Sequence, residues 1–255
     1  MAVSANTLFH FTDKNALKAI LKSRYFWASY SLEHFESILP KDSRYRKAYV
    51  PHVCFCDLTI TQLARDSRHT KDFGRFGIGL NKKWGEKKGI SPVVYVHRKS
   101  LPSNNIHQLI KEIPKITKRT PKDKFPQKIK SKALDFFKFI KPYKGKWQKG
   151  KKKKNDIIYY NEREWRYCPS SNDNKNVLSG RIRENKIAAE RLNAAFKTKG
   201  NLTFSASDIK YIILDKATDI SFFVKTINSI ANLNATEKNN LITKIITFAE
   251  IEADF

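Results

Sequence analysis

An α+β fold is predicted by three observations. Short strand patterns such as Val93-Val94-Tyr95-Val96 and Ile209-Lys210-Tyr211-Ile212-Ile213 alternate irregularly with amphipathic helical stretches, without a βαβ rhythm. No internal repeat is present. One compositional outlier, the lysine-rich stretch 111–154, interrupts an otherwise globular chain. The chain is read as a single domain over residues 1–255, with a basic insertion at about 110–155.

Leu8 to Thr12 reads as an opening strand, and Thr12 or Asp13 caps a helix over 14–23, where Ala16, Leu17, Ile20 and Leu21 form the apolar stripe. Tyr25 to Tyr30 is aromatic and extended, and Leu32 to Leu39 reads as a helix. Pro51 introduces a strand ending at Cys56-Asp57. His52, Cys54 and Cys56 alternate along it, but a closed zinc site needs four ligands, so no metal is assigned. Asp57 is read as the cap of a helix over 59–66. Phe73 to Leu80 carries Gly74, Gly77 and Gly79 as G-x-x-G-x-G, which is not the dinucleotide fingerprint; it marks either a turn into a strand where backbone approaches a neighbour closely or a bulged strand. Pro92 to His97 is a strand.

The stretch 111–154 holds only Glu112, Asp123 and Asp135 as acids. One helix is predicted in it, over 128–140, with Ile129, Ala133, Phe136, Phe137 and Ile140 as its buried stripe. A flexible loop follows, in which Tyr143 and Trp147 alternate with Lys144, Lys146, Lys149, Lys151, Lys152, Lys153 and Lys154. Lysines there release counterions from phosphates, and exposed rings stack on unpaired bases. Helices are predicted over 182–196, 221–233 and 236–244, a buried strand over 208–214, and a closing strand or helix end over 245–251.

The chain has 50 basic and 24 acidic residues and a formal charge of +26. That excess favours a polyanionic partner and an acidic partner protein in the cell, and does not itself separate RNA from DNA; the rings near the lysines favour single strands, with RNA preferred. Three cysteines, no signal peptide and no long apolar run fit a cytoplasmic protein without disulfides or membrane contact.

After the lysines, Tyr159 to Tyr167 reads as a strand with Tyr160, Glu162, Glu164 and Arg166 on one face. Two carboxylates ~7 Å apart on one strand face repel each other and suit a catalytic cleft better than a core. The alternative is a solvated face on which Arg163 and Arg166 neutralise the acids. Trp165 and Tyr167, on the other face, are read as core.

The stretches LFHFT (8–12), SYSLE (29–33), VCFCDL (53–58), FGIGLNKKWG with GISPVVY (76–95), EREWRY (162–167) and SDIKYIIL (207–214) resemble the AbiGi family of phage abortive-infection proteins over nearly the whole chain. That family is generally described as antitoxins. More distantly, the His10-x-Thr12 strand, the glycine-marked middle and Glu162-x-Glu164 resemble the ADP-ribosyltransferase superfamily, including its DarT-like enzymes. This second resemblance implies a split mixed β-sheet core with flanking helices and NAD as substrate. His10 and Thr12 would hold the adenosine-side ribose, and Phe73, Phe76 or Tyr30 would stack on nicotinamide. Glu164 would bond the nicotinamide ribose, and Glu162 would act on the acceptor, with RNA preferred. Gly79 stands where the histidine-type branch usually has a tyrosine, a departure that leaves a non-catalytic relative open. The expectations are therefore an NAD-consuming effector of phage defence that modifies nucleic acid, with a non-catalytic antitoxin or nucleic-acid-binding module as the alternative and a transferase acting on a protein as a third.

Overall fold

The computed structural model describes residues 4–65, 72–119, 124–149, 152–170, 177–179, 182–197 and 202–254. The first third holds β1 (Thr7–Thr12), α1 (Lys14–Ser23), β2 (Tyr25–Phe26), β3 (Ser29–His34), β4 (Lys47–Cys56), α2 (Ile60–Arg65), β5 (Phe76–Asn81) and α3 (Lys82–Lys87). The middle holds β6 (Ser91–Pro92), β7 (Val94–Val96), α4 (Leu101–Arg119), α5 (Lys124–Phe137), β8 (Ile140–Pro142), β9 (Lys144–Lys149), β10 (Lys152–Ile158) and β11 (Glu164–Tyr167). The remainder holds β12 (Leu178–Ser179), α6 (Ile182–Phe196), β13 (Leu202–Thr203), β14 (Ile209–Leu214), α7 (Ile220–Asn228), α8 (Ala235–Ile242), β15 (Ile245–Thr247) and α9 (Phe248–Asp254). The class is mixed α+β. No helix among the described residues is long and apolar enough to cross a membrane.

The contacts group the chain into two compact units. The first takes residues 1–26, 54–91 and 200–255, and the second takes 27–53 and 92–199. β4 gives Lys47 to Val53 to the second unit and Cys54 to Cys56 to the first.

The first unit is built on a mixed sheet. β14 pairs with β15 in parallel and with β5 antiparallel; β5 pairs antiparallel with β1, and Phe9 of β1 pairs with Cys56. Phe9, Cys56, Leu58, Leu63, Ile213, Phe248 and Ile251 form its core. Asp13 caps α1 by accepting from the Ala16 N–H at 2.9 Å, as its type and place predict. The cap of α2 is Thr59, whose hydroxyl accepts from the Gln62 N–H at 3.2 Å, and not Asp57. Asp57 instead ties down the N-terminal segment: Ser4 Oγ, the Ala5 N–H and Lys82 Nζ donate to it at 2.8, 3.0 and 2.7 Å.

The glycine-marked strand makes the close approach its sequence predicts. Gly79 and Gly77 stand opposite Phe9 and Phe11 in the β1–β5 register. A Cβ on Gly79 would lie 2.8 Å from the Phe9 ring and 2.9 Å from Thr7 Cγ2. Rings of β1 therefore fill the space that side chains at these two positions would take. Gly74, at φ +118, has a second reason to be glycine, since a Cβ there would meet the Thr12 carbonyl oxygen at 2.2 Å.

In the second unit β3 and β12 both pair antiparallel with β4, β11 lies beside β4, and β7 pairs in parallel with β8. Phe35, Ile38, Tyr45, Val50, Val96, Ile106, Phe137 and Ile140 are among its core residues. α6 packs over Tyr30 and Tyr49 through Ala189, with Leu192 and Phe196 beside it. The helix predicted over Leu32–Leu39 is a strand followed by a turn. Ser29 to His34 pair residue by residue with His52 to Lys47, and the helix-like spacing of Leu32, Phe35 and Leu39 arises because the Ile38 and Leu39 N–H groups fold back onto the Phe35 carbonyl.

The lysine-rich stretch carries two helices where one was expected, since α4 precedes α5. α5 ends at Phe137, and Ile140 begins β8. Phe137 is buried, whereas Ile129 and Phe136 are exposed. The loop predicted after it is a β-hairpin, β9–β10, with Lys154 opposite Trp147 and a bulge before Ile157. At the C-terminus the helices are shorter than predicted, and the last piece divides into β15 and α9.

Gly79→Val should destabilise the chain by about 1–3 kcal/mol, because the packed Phe9 ring must move. Urea denaturation monitored by tryptophan fluorescence measures this, and an unchanged midpoint would show that the contact is not tight.

Candidate functional site

Two features of the second unit concern function: a buried ionic cluster around the two glutamates, and the basic hairpin.

The glutamates do not sit on one continuous strand. Tyr159 to Glu162 form a 3-10 turn, and Arg163 adopts a left-handed conformation at φ 45. β11 begins only at Glu164. Turn and strand still bring both carboxylates to one cation, Lys141 of β8. Its Nζ lies 2.6 Å from Glu162 Oε2 and 2.5 Å from Glu164 Oε2. Arg166 completes the arrangement. Its Nε donates to Glu164 Oε1 at 2.5 Å and its Nη2 to Glu164 Oε2 at 3.2 Å. Nη2 also lies 3.0 Å from Glu33 Oε1, and Nη1 donates to the Lys138 carbonyl at 3.0 Å. Arg166 is 0 % exposed, Glu164 5 % and Glu162 6 %.

These groups form neither of the faces the sequence suggests. The face is not solvated, because the acids are buried; Trp165 and Tyr167, expected in the core, are half-buried. Nor are the carboxylates open to a ligand, because both Glu164 oxygens and one Glu162 oxygen accept from cations. Burying five charges costs several kcal/mol per ion, and only close pairing offsets this. Three acids, Glu33, Glu162 and Glu164, and two cations, Lys141 and Arg166, nearly balance.

The titration behaviour follows from the geometry. Burial pushes Glu164 up, but Arg166 and Lys141 outweigh it and hold its carboxyl well below the usual range. Glu33 is likewise lowered, burial being overcome by Arg166 and Lys141. Glu162 is raised, because burial outweighs Lys141 and the neighbouring Glu164 adds to it. His52, with Nδ1 3.0 Å from the Val50 carbonyl, is pushed down to about 4 by burial, and the Arg166 charge acts in the same direction. Tyr95 and Tyr159 frame the cluster. The Tyr95 hydroxyl accepts from the Glu164 N–H at 2.8 Å, and the Tyr159 ring lies 4.8 Å from Lys141 Nζ.

The residues assigned to NAD divide between the units. In the first unit, His10 Nδ1–H donates to the Cys54 carbonyl at 2.8 Å, and its ring meets Phe26 edge-on at 5.0 Å. Burial holds His10 below the ordinary histidine value. Thr12 stands opposite Phe76 in the β1–β5 register, Phe76 packs on Phe223 at 5.9 Å, and Phe73 is half-buried before Gly74. In the second unit, the Tyr30 ring is buried and stacks on Phe196 at 6.2 Å. Phe76 and Tyr30 therefore each already have an aromatic neighbour.

The hairpin differs in character. Lys144, Lys146 and Lys153 are exposed and Trp147 is half-buried. Lys154 Nζ lies 5.3 Å from the Trp147 ring centre. Lys144 lies 3.4 Å from Asp156, itself highly exposed. Lys149 and Lys152 pair at its tip in the backbone register, and Lys151 lies outside the described residues. Tyr159 anchors the hairpin base by donating its hydroxyl to the Lys146 carbonyl at 2.5 Å.

Sequence reasoning missed Lys141 and Glu33. Lys141 is one lysine in a run of lysines, and its burial depends on β8 pairing with β7. Glu33 was placed in a helix. The only signal was the pair of glutamates itself, which demanded cations.

Residues 26–215 match the family described as "Putative abortive phage resistance protein AbiGi, antitoxin". The chain is 30% identical over 250 residues to the abortive phage resistance protein AbiGi of Lactococcus lactis subsp. cremoris, covering 90% of this chain and 99% of that protein. No solved structure matches the chain. The chain therefore belongs to the AbiGi family of phage abortive-infection proteins.

Glu164→Gln should cost about 3–5 kcal/mol, because it leaves Arg166 buried with half its charge partners gone. Chemical denaturation of wild type and variant gives the value; full stability with Gln would show the pair to be idle. The folded pKa values of His52, Glu33 and Glu164 lie below their unfolded ones, so each stabilises above its unfolded pKa, and this is lost as pH falls. Glu162, raised, acts in the opposite sense. Stability should decline first below about pH 6.5, from His52 and the buried His10, whose folded value is likewise lowered, and more steeply below about pH 4.3, from Glu33 and Glu164. Denaturation midpoints from pH 7.5 to 3.5 measure this, and a flat profile would contradict it.

Proposed function

We propose that this AbiGi-family chain is a non-catalytic, antitoxin-side component of an abortive-infection system that binds single-stranded RNA through the β9–β10 hairpin. The observation that supports the reading best is the pairing of exposed lysines with one aromatic ring on a single hairpin. Lys144, Lys146 and Lys153 are exposed, and Lys154 lies over the half-buried Trp147. Lysines neutralise phosphates, and an aromatic face takes an unpaired base without demanding its identity. A formal charge of +26 supports the same partner. The charge also suits an acidic protein partner, the role a toxin would fill for an antitoxin.

Transfer of ADP-ribose from NAD receives less support. The two glutamates it needs are engaged by Lys141 and Arg166, and no rearrangement of a single side chain frees Glu164. In the proposed reading they hold the hairpin's base in place instead.

Fluorescence anisotropy with a labelled oligouridylate, across a salt series, tests this. Wild type should bind with a steep salt dependence. Replacing Lys144, Lys146, Lys153 and Lys154 together by Gln should reduce the log–log slope by about 2–3, at roughly 0.7 per lysine for a single strand. Trp147→Ala should weaken binding by about 1–3 kcal/mol at every salt concentration. Equal affinity and slope in the four-lysine variant would sink the hairpin as the contact.

A further inference from the structure

The second unit holds a cavity of about 610 Å³ among the end of β3, the turn after it, the loop after β7 and the base of the hairpin. Its wall includes His34, Ser37, Arg46, Arg98, Lys144 and Lys146. Four of these are cationic side chains, gathered from three separate segments of the chain.

Three buried polar atoms of this wall have no hydrogen-bond partner among the described residues: His34 Nε2, Ser37 Oγ and Arg46 Nε. Native proteins keep few such atoms, and three on one cavity wall form a set. His34 is 8 % exposed. Ser37 and Arg46 offer donors, and with the other cations they ask for an anion rich in acceptors. A guanidinium and a hydroxyl suit the oxygens of a phosphate.

His34 asks for something else. Its Nδ1 lies 3.4 Å from Glu36 Oε2. A carboxylate only accepts, so Nδ1 carries the hydrogen, and the Nε2 of the neutral ring is an acceptor. A phosphate does not satisfy it; a hydroxyl beside the phosphate does. The cavity continues toward a second one of about 340 Å³ that shares Ser37, Arg46 and Arg98. That second cavity is also lined by His107, whose Nδ1 is another buried atom without a partner among the described residues.

We infer that this cavity binds a ribonucleotide, its phosphate on Ser37, Arg46 and the neighbouring cations and a ribose hydroxyl on His34 Nε2. The inference deepens the RNA-binding reading, since the ribonucleotide is either free or part of an RNA chain. Ser37 and Arg46 would act on the phosphate, and Glu36 would position His34 through Nδ1.

The test is calorimetric titration of the full chain with AMP, adenosine, 2′,3′-dideoxy-AMP and a 5′-phosphorylated hexauridylate. AMP should bind about tenfold or more tightly than either adenosine or dideoxy-AMP. His34→Phe should lower AMP to the level of dideoxy-AMP, and Ser37→Ala and Arg46→Met should bring AMP toward adenosine. Ser37→Ala removes one hydroxyl only, so it reports even if a larger change disturbs folding. AMP binding unaffected by hexauridylate would name a free nucleotide as the source. Competition, or hexauridylate binding alone with the same His34 and Arg46 dependence, would name the RNA chain. Equal binding of AMP and adenosine would overturn the phosphate assignment, equal binding of AMP and dideoxy-AMP would overturn the role of His34, and binding of neither nucleotide nor hexamer would overturn the site. Lys153→Gln with Lys154→Gln, whose side chains do not line the cavity, separates the readings: it should weaken oligouridylate but leave AMP unchanged. If AMP binds while oligouridylate binding proves independent of the hairpin, the cavity stands and the hairpin reading falls.

Discussion

The second unit depends on one buried constraint: the Arg166 guanidinium must be matched, and Glu164 and Glu33 match it. Arg166 has no exposure, so each missing partner would leave a charge in a low-dielectric interior. Lys141 then bridges Glu164 to Glu162 and joins β8 to β11 and to the turn before it. The Tyr159 ring lies over the same lysine, and its hydroxyl holds the hairpin strand at Lys146. A continuous path of hydrogen bonds and ring contacts thus runs from the core charges to the exposed lysines.

This arrangement separates the two uses of charge in a chain with a large cationic excess. Acids are scarce, and three of them are spent inside on two cations. Most lysines are left for the surface, where they are screened but available to phosphates. The cavity lined by Arg46, Arg98 and the hairpin base joins the two: Arg46 is half-buried, Arg98, Lys144 and Lys146 are exposed, and Glu36 and Asp156 are the acids on its wall. Such a place selects for a ligand more sharply than an exposed lysine does.

The parts of the fold that were legible in the sequence are those with a local cause. Asp13 caps α1, Leu8 to Thr12 lies in the opening strand, and Gly77 and Gly79 mark a close approach, made by the Phe11 and Phe9 rings. Pairing at a distance was not legible. Leu32 to Leu39 has helical apolar spacing, and its first residues become strand because β4 pairs with Ser29 to His34. The lysines of 144–154 resemble a solvated loop, and form a hairpin because Lys154 and Trp147 meet across it. The Glu-x-Glu pattern drew attention to the right residues with the wrong surroundings. A carboxylate pair reads alike whether it faces a cleft or a buried lysine, and Lys141 carries no local mark that separates it from its neighbours. The same blindness applies to the cavity, since His34, Arg46 and Arg98 belong to no common motif.

The most direct test of the central claim, that Glu162 and Glu164 hold structure and not substrate, is NAD turnover. Purified wild-type chain is incubated with NAD labelled on its adenylate part, with RNA or cell lysate as acceptor, beside Lys141→Met and Glu164→Gln. The account predicts no label transfer and no nicotinamide release by any of the three, while both variants lose stability. Label transferred by wild type and abolished by Glu164→Gln, in a variant shown to be folded, would contradict it and make the cluster a catalytic site.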